Sequence, residues 1–227
     1  MKAIILAAGV GSRLEEYTKT CPKCLLDIGG ESILGRELRL LKELGFAAND
    51  ILIMGGYKAE MLSGLDARVC LNKEYMSTDN SYTLGLAFEK VDDDVIIMDG
   101  DLVFERNILS EILSCMKENV VLSKISNDLS ESTGILTDKN GYVLDIGKHI
   151  INSGYVYLSI LKVSKKTVPD FKNALLDSTK EKSWYTAPLS TILIKHPFFN
   201  LTSKCKWHEI DDISDYAAAQ EFFGESC

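Results

Sequence analysis

The chain has 227 residues, 46% hydrophobic and 26% charged, with a formal net charge of −8. That length and apolar content suit one α/β domain with a sizeable core and exclude a disordered chain. The acidic balance argues against nucleic acid as a partner, and no apolar run reaches the ~20 residues that span a bilayer, so no membrane is expected either. The first residues lack a signal peptide's long apolar core and cleavage site, which reads as cytoplasmic. Six cysteines stand at 21, 24, 70, 115, 205 and 227. The one close pair, Cys21-Pro-Lys-Cys24, has no second pair or spaced histidines for zinc and no thioredoxin-like setting. Reduced thiols are the expectation.

In chain order, Lys2–Leu6 (KAIIL) is a short buried strand. Glu31–Leu44 carries apolar residues at 33, 34, 38, 41 and 44, a helical stripe with Gly45 as its stop. Asp50–Met54 is the next strand, Lys58–Ser63 a short helix and Ala67–Leu71 a strand. Ser81–Phe88 reads as a helix and Val95–Met98 as a buried strand. This alternation predicts a parallel sheet with helices on both faces. Further strands are expected at Val120–Ser123, Gly134–Leu136, Tyr142–Ile146 and Ile150–Leu158. Asp138-Lys-Asn-Gly141 predicts a type I′ hairpin turn. Leu158–Leu176, Trp184–Lys195 and Asp212–Phe223 are expected to be helical. The fold class is therefore α/β, Rossmann-like, three-layer α/β/α, with a mixed and mostly parallel central sheet.

The stretch LAAGVGSRLEEYTKTCPK, Leu6 to Lys23, gathers positive charge against the trend of the chain. Lys2, Arg13, Lys19 and Lys23 surround it, against Glu15 and Glu16. Gly9 and Gly11 follow a buried strand, where backbone N–H groups can approach an anion without a Cβ in the way. The loop falls at the carboxyl end of a strand, where open α/β sheets bind ligands. Arg13 can clamp a phosphate bidentately and Lys23 adds a point charge. A dinucleotide fingerprint would need a third glycine where Leu14 stands, and a Walker loop would need G-K-[ST]; both are missing. A glycine turn that binds nothing is the remaining alternative.

Ile97-Met-Asp-Gly-Asp101 ends a buried strand with two carboxylates, which suits either a hard cation or a turn. A second acidic tract, His208-Glu-Ile-Asp-Asp212 with Asp215, lies far downstream. Asp212 precedes an apolar stripe and is expected to cap the last helix.

The run Leu6-Ala-Ala-Gly-Val-Gly-Ser-Arg-Leu14, with Pro22-Lys23 and Leu25-Leu-Asp-Ile-Gly-Gly-Glu-Ser-Ile-Leu34, resembles the signature of the sugar-phosphate nucleotidyltransferase superfamily. Asn72-Lys-Glu-Tyr75 with Asn80-Ser-Tyr-Thr-Leu84 and the late E-I-D-D tract narrows the likeness to bacterial phosphocholine and phosphonate cytidylyltransferases. The resemblance implies the nucleotidyltransferase type A fold as a single domain over 1–227. Its nucleotide half covers about 1–105 and its acceptor half about 106–227. It assigns catalysis to Arg13, Lys23, Asp101 and Asp211. Nucleotide binding falls to Leu6, Ala7, Ala8, Gly9, Gly11, Ser12, Gly56, Tyr57, Asn80 and Ser81. Asp101 and Asp211 are the implied Mg²⁺ ligands, with Asp99 and Glu209 as the alternates. For the acceptor it points to Lys148 against the phosphate, with Tyr155, Trp184 and Glu209; Tyr155, Trp184 and Tyr185 could form an aromatic wall for a quaternary ammonium. The choline-type enzymes carry acidic or amide groups just after the tryptophan, where this chain reads Trp184-Tyr-Thr-Ala-Pro188.

The implied reaction transfers CMP from CTP to a small phosphorylated or phosphonate acceptor, with Mg²⁺ as cofactor and pyrophosphate released. Phosphocholine and 2-aminoethylphosphonate are the type acceptors, in surface-glycan or phospholipid decoration. Two alternatives stay open: a uridylyl- or thymidylyltransferase acting on a sugar 1-phosphate, and a non-catalytic nucleotide-binding module. The sequence leaves the oligomeric state open, a homodimer included.

Overall fold

A computed structural model describes residues 1–126, 132–178 and 184–224. Cys227 lies outside the described residues. Strand β1 (Lys2–Ala7) runs between β4 (Ile51–Gly55) and β6 (Val95–Asp99), parallel to both, and β5 (Arg68–Leu71) extends the sheet parallel to β4. Between β1 and β4 the chain makes a small hairpin, β2 (Asp27–Ile28) with β3 (Glu31–Ser32), and helix α1 (Ile33–Glu43). Helix α2 (Asn80–Phe88) links β5 to β6.

After β6 come β7 (Leu102–Phe104), α3 (Arg106–Ser114), β8 (Val120–Ile125), β9 (Gly134–Thr137), β10 (Val143–Gly147) and β11 (Tyr155–Val163). The chain closes with α4 (Val168–Ser178), α5 (Thr186–Ile192), β12 (Phe199–Thr202), β13 (Trp207–Glu209) and α6 (Ile213–Phe223). The central sheet runs β10-β9-β11-β6-β1-β4-β5, with β8 paired to β11 and to β12. Its β6-β1-β4-β5 portion is wholly parallel, and β11 runs antiparallel to β6, β8 and β9.

Strand alternation splits the core into two layers. Ile4 and Leu6 pack on one face with α2, α4 and α5, through Leu84, Phe88, Phe171, Leu175 and Leu189. Ala3, Ile5 and Ala7 pack on the other with α1 and α3, through Leu34, Leu38, Leu41, Ile108 and Ile112. The result is three layers, helix over sheet over helix. Both faces of β1 are covered, which is why its sequence is a continuous apolar run. Ser32 caps α1, its Oγ accepting from Gly35 N–H at 3.0 Å. At the other end Gly45 N–H donates to Lys42 O and Phe46 N–H to Leu41 O, a Schellman closure. No helix among the described residues is long and apolar enough to cross a membrane.

Three expectations need correction. The stretch 150–158 is not one strand followed by a helix from Leu158: β11 spans Tyr155–Val163 and α4 starts at Val168. An interior strand covered on both faces reads like a buried helix segment in sequence. The Asp138–Gly141 turn is not type I′, because neither Lys139 nor Asn140 has positive φ. Gly141 alone takes φ +82°, accommodating an ordinary turn closed by its N–H to Asp138 O at 3.1 Å. The segment after Lys58 is a single 3-10 turn, Ala59–Leu62, rather than an α-helix.

Candidate active site

At the carboxyl end of β1 the chain leaves the sheet through Gly9 and Gly11. Gly11 takes φ +66°, and a Cβ on it would stand 3.1 Å from Lys23 Cβ and 3.2 Å from Thr18 Cγ2. Both the backbone conformation and the tight space make any larger residue strained there. Leu14 then turns inward and is fully buried in a small satellite core with Leu26, Ile28, Ile33, Val103, Ile210 and Phe223. Val103 and Ile210 sit two residues from Asp101 and one from Asp211, so this cluster fastens the glycine loop to both acidic tracts. The pairing of β13 with β7, Glu209 opposite Leu102, and the Ile210 N–H to Asp101 O hydrogen bond of 3.0 Å join the tracts to each other.

Of the four basic residues around the first loop, two turn elsewhere: Lys2 pairs with Asp50 at 2.5 Å and Lys19 with Glu16. The other two converge. Lys23 Nζ donates to Asp101 Oδ2 at 2.7 Å and to Asp211 Oδ1 at 3.0 Å, and the Arg13 guanidinium lies 3.0 Å from Asp211 Oδ2. Burial works against the charge on Lys23, but Asp101 and Asp211 outweigh it and hold its pKa above the ordinary lysine value. Burial likewise opposes the Asp211 carboxylate, and Lys23 and Arg13 overcome that and keep it below the usual range.

Asp99, Asp101 and Glu209 each present an oxygen within 4.8 Å of the others. Asp99 Oδ1 and Asp101 Oδ1 are buried and accept no hydrogen bond among the described residues. Burial, then the crowding of Asp101 and Glu209, drives the Asp99 pKa well up. Burial with Asp101 and Asp211 moves Glu209 to about 8. Glu37 of α1, 1% exposed, is pushed up by burial and by Asp101 and Asp99. Asp101 is thus the shared member of two arrangements, and the alternates Asp99 and Glu209 complete the acid cluster while Asp211 is engaged by cations.

Three clefts meet here. Ala7, Gly9, Gly11, Ser12, Arg13, Lys23, Asp101 and Asp211 line the first, of about 220 Å³. Leu6, Ala8, Gly9 and Asn80 line the second with Asn72, Tyr75 and Thr78. Asn72 is fixed there, donating to Thr78 Oγ1 and Thr83 Oγ1 at 3.0 Å each. Asp79, not Asn80, caps α2, and Asn80 Oδ1 accepts from Tyr185 N–H at 3.1 Å. Ser81 is buried and lines neither cleft. Gly56 and Tyr57 line neither as well: Tyr57 N–H donates to Ala8 O at 3.1 Å and its hydroxyl to Thr18 O at 3.0 Å, bracing the loop.

The third cleft, about 620 Å³, shares Arg13 and Asp211 with the first and adds Lys124, Lys148, Tyr157, Trp184, Trp207 and Glu209. Two expected members of an aromatic wall are placed differently. Tyr155 is absent from the lining and packs against the core, and Tyr185 is 1% exposed, its hydroxyl 3.0 Å from that of Tyr157. Tyr157, Trp207 and Lys124 are contributors the sequence reading does not name. Asp212 caps α6 as expected, accepting from Ser214 and Asp215 N–H. Asp215, the last acid of the second tract, accepts from the N–H groups of Asp211 and Asp212 and so fixes the backbone that carries Asp211.

Known proteins resemble this chain along nearly its whole length. The chain is similar over 95% of its length, at 25% identity, to the CTP:phosphoglutamine cytidylyltransferase of Campylobacter jejuni, covering 97% of that protein. It is 29% identical to the choline-phosphate cytidylyltransferase of Haemophilus influenzae over 95% of this chain and 94% of that one. The structure of the CTP:phosphocholine cytidylyltransferase of Streptococcus pneumoniae superposes with a TM-score of 0.82 at 22% identity, over 97% of each chain, a likeness of fold. Residues 3–191 match the model of the MobA-like NTP transferase domain, and the chain, a nucleotidyltransferase, belongs to that family.

Proposed function

We propose that this chain is a Mg²⁺-dependent cytidylyltransferase, moving CMP from CTP to a small phosphorylated or phosphonate acceptor and releasing pyrophosphate. The observation that carries the reading is Lys23, held between Asp101 and Asp211 beside the glycine loop. The cytidylyltransferase relatives, matched along nearly their whole length, support CTP as donor. Residues up to about 105 serve the nucleotide and the later ones mainly the acceptor. The reaction places the enzyme with its soluble precursors in the cytoplasm.

The acids fit a divalent cation. Three carboxylates crowd together and two buried oxygens lack hydrogen-bond donors among the described residues. All-oxygen donors of this kind suit Mg²⁺. Asp101 and Asp211 would hold it, with Asp99 and Glu209 adjoining. When bound, it neutralises phosphate charge and polarises the α-phosphoryl group.

The chain's own residues do the rest. Triphosphate oxygens entering the first cleft displace Asp211 from Arg13 and both acids from Lys23, since phosphate takes up the same donors. The two cations then lie on the β- and γ-phosphates. Leu6, Ala8, Asn72, Tyr75 and Asn80 shape the place for ribose and base. Lys148 holds the acceptor's phosphorus group in the third cleft. An acceptor oxygen, already anionic near neutral pH, forms the new bond to the α-phosphorus, and the bond to the β-phosphate oxygen breaks. No general base is needed. What is needed is alignment of two anions and neutralisation of the departing pyrophosphate.

Pyrophosphate release from CTP, UTP or dTTP, with phosphocholine, 2-aminoethylphosphonate, O-phosphoserine and sugar 1-phosphates and bisphosphates offered in turn, tests the reading. CTP with a small acceptor is expected to turn over. Turnover confined to UTP or dTTP with a sugar 1-phosphate, or none with any pair, would overturn it.

A further inference from the structure

The third cleft presents two ammonium groups, one more than a single acceptor phosphate engages. Lys124, from β8, and Lys148, after β10, both line it. Lys124 Nζ stands 4.9 Å from the Trp207 ring centroid and Lys148 Nζ 4.9 Å from that of Trp184. Each tryptophan face therefore already carries an ammonium of the chain itself, and a cationic ligand would meet two like charges there.

Each acid of the same cleft is held by other groups of the chain. Asp211 is held by Lys23 and Arg13. Asp212 accepts from Ser214 and Asp215 N–H, and Asp215 from Asp211 and Asp212 N–H. Glu209 belongs to the crowded acid cluster. Neither Lys124 nor Lys148 makes an ion pair among the described residues, and Lys124 is half-buried; burial pulls its pKa down by more than the charge of Glu209 raises it. A partly desolvated ammonium that makes no ion pair among the described residues, and whose nearest acid does not offset its burial, is electrostatically under-satisfied. A single attacking phosphorus group, met by Lys148, leaves Lys124 in that state.

We infer that the acceptor bears a second anionic group, beyond the phosphate or phosphonate that attacks, and that Lys124, backed by Trp207, is the residue that selects it. This rests on the cytidylyltransferase reading above and specifies its acceptor class. A carboxylate and a second phosphate meet the same requirement, and matched ligands separate them. O-Phosphoserine differs from phosphoethanolamine by one carboxylate, and glucose 1,6-bisphosphate from glucose 1-phosphate by one phosphate.

The chain has 2 tryptophans, Trp184 and Trp207, and both line this cleft, so intrinsic fluorescence reports its occupancy. Each ligand is titrated into the protein with Mg²⁺ and α,β-methylene-CTP, which cannot release pyrophosphate. In at least one pair the added anion is expected to tighten binding about tenfold, the worth of one charge-assisted hydrogen bond. That ratio is expected to fall towards one in Lys124→Met and to persist in Lys124→Arg. Equal affinities in both pairs, a ratio unchanged in Lys124→Met, or no fluorescence response to any of the four ligands at millimolar concentration would overturn the inference. The ratio is read without turnover. Failure of every nucleotide to yield pyrophosphate would therefore strike the cytidylyltransferase reading alone.

Discussion

Lys23 Nζ lies 2.7 Å from Asp101 Oδ2, across 78 positions of sequence. With Asp211 at 3.0 Å on the same ammonium, the site's cations and acids offset one another. The groups expected to meet phosphate and metal thus pair with one another. Replacing Lys23 with Ala, or Asp101 with Ala, is expected to lower turnover by about 10²–10³ or more, the scale seen when one charge-stabilising contact is removed from a dry site. Circular dichroism should remain that of a folded chain, because the layers above and below the sheet do not depend on either side chain. Pyrophosphate release with near-native rates in either variant would remove that residue from the mechanism.

The exchange of partners couples the two ligands. Phosphate cannot take Lys23 and Arg13 without releasing acids, and the released acids then favour a cation. CTP affinity measured by calorimetry is expected to fall about 5–150-fold when EDTA replaces Mg²⁺, and CTP should raise Mg²⁺ affinity by the same factor. Identical CTP affinities with and without Mg²⁺ would contradict the exchange.

Crowded acids also leave a signature in metal-free stability. Glu209 titrates at about 8 when folded against an ordinary 4.5, and Asp99 and Glu37 are raised too. A raised carboxyl pKa means the folded state holds more protons than the unfolded state between those values, so stability falls as pH rises through that window. Melting temperature in EDTA is expected to decline from pH 5 to pH 8. Glu209→Gln should flatten the decline. A melting temperature that rises over that range would contradict the cluster's electrostatics.

Gly11→Ala tests the loop without touching a charge. The new Cβ meets Lys23 Cβ at 3.1 Å, and φ +66° costs an alanine about 1–2 kcal/mol. A modest loss of stability by denaturant titration is expected, with a rise in the KM for CTP because Lys23 is pushed aside. An unchanged KM would show that the loop's shape does not set the position of Lys23.

Much of the fold was legible because its parallel half follows local rules. β1, α1, β4 and β6 are strongly patterned, and their expected positions hold to within two residues. The glycine loop was legible for the same reason: Gly9, Gly11, Arg13 and Lys23 lie within fifteen residues of one another. What was not legible depends on long-range pairing. β7, β12 and β13 are only three or four residues long, too short for periodicity to declare them, yet β7 and β13 carry the acids into the site. Helix α3 did carry a signal, apolar residues at 108, 109 and 112, inside a stretch the reading left unassigned.

The acceptor side was the least legible. Tyr155 and Trp184 were both candidates, but only Trp184 lines the cleft. A register irregularity in β11 between Tyr157 and Leu161, with Ser159 at φ +57°, alters which residues of that strand face it. Lys124 lies on an ordinary-looking strand, and only its tertiary neighbour Trp207 marks it out. The two acidic tracts were visible separately, but which acids converge was decided by the satellite core around Leu14, Val103 and Ile210.

Calorimetric titration of CTP and of CMP, with Mg²⁺, into the unaltered chain and into Lys23→Met tests the central claim most directly. If the glycine loop and its two cations hold the triphosphate, CTP affinity falls by about tenfold or more in the variant while CMP affinity changes little, since CMP lacks the β- and γ-phosphates. Equal CTP affinity in the two proteins, or parallel losses for CTP and CMP, would contradict it.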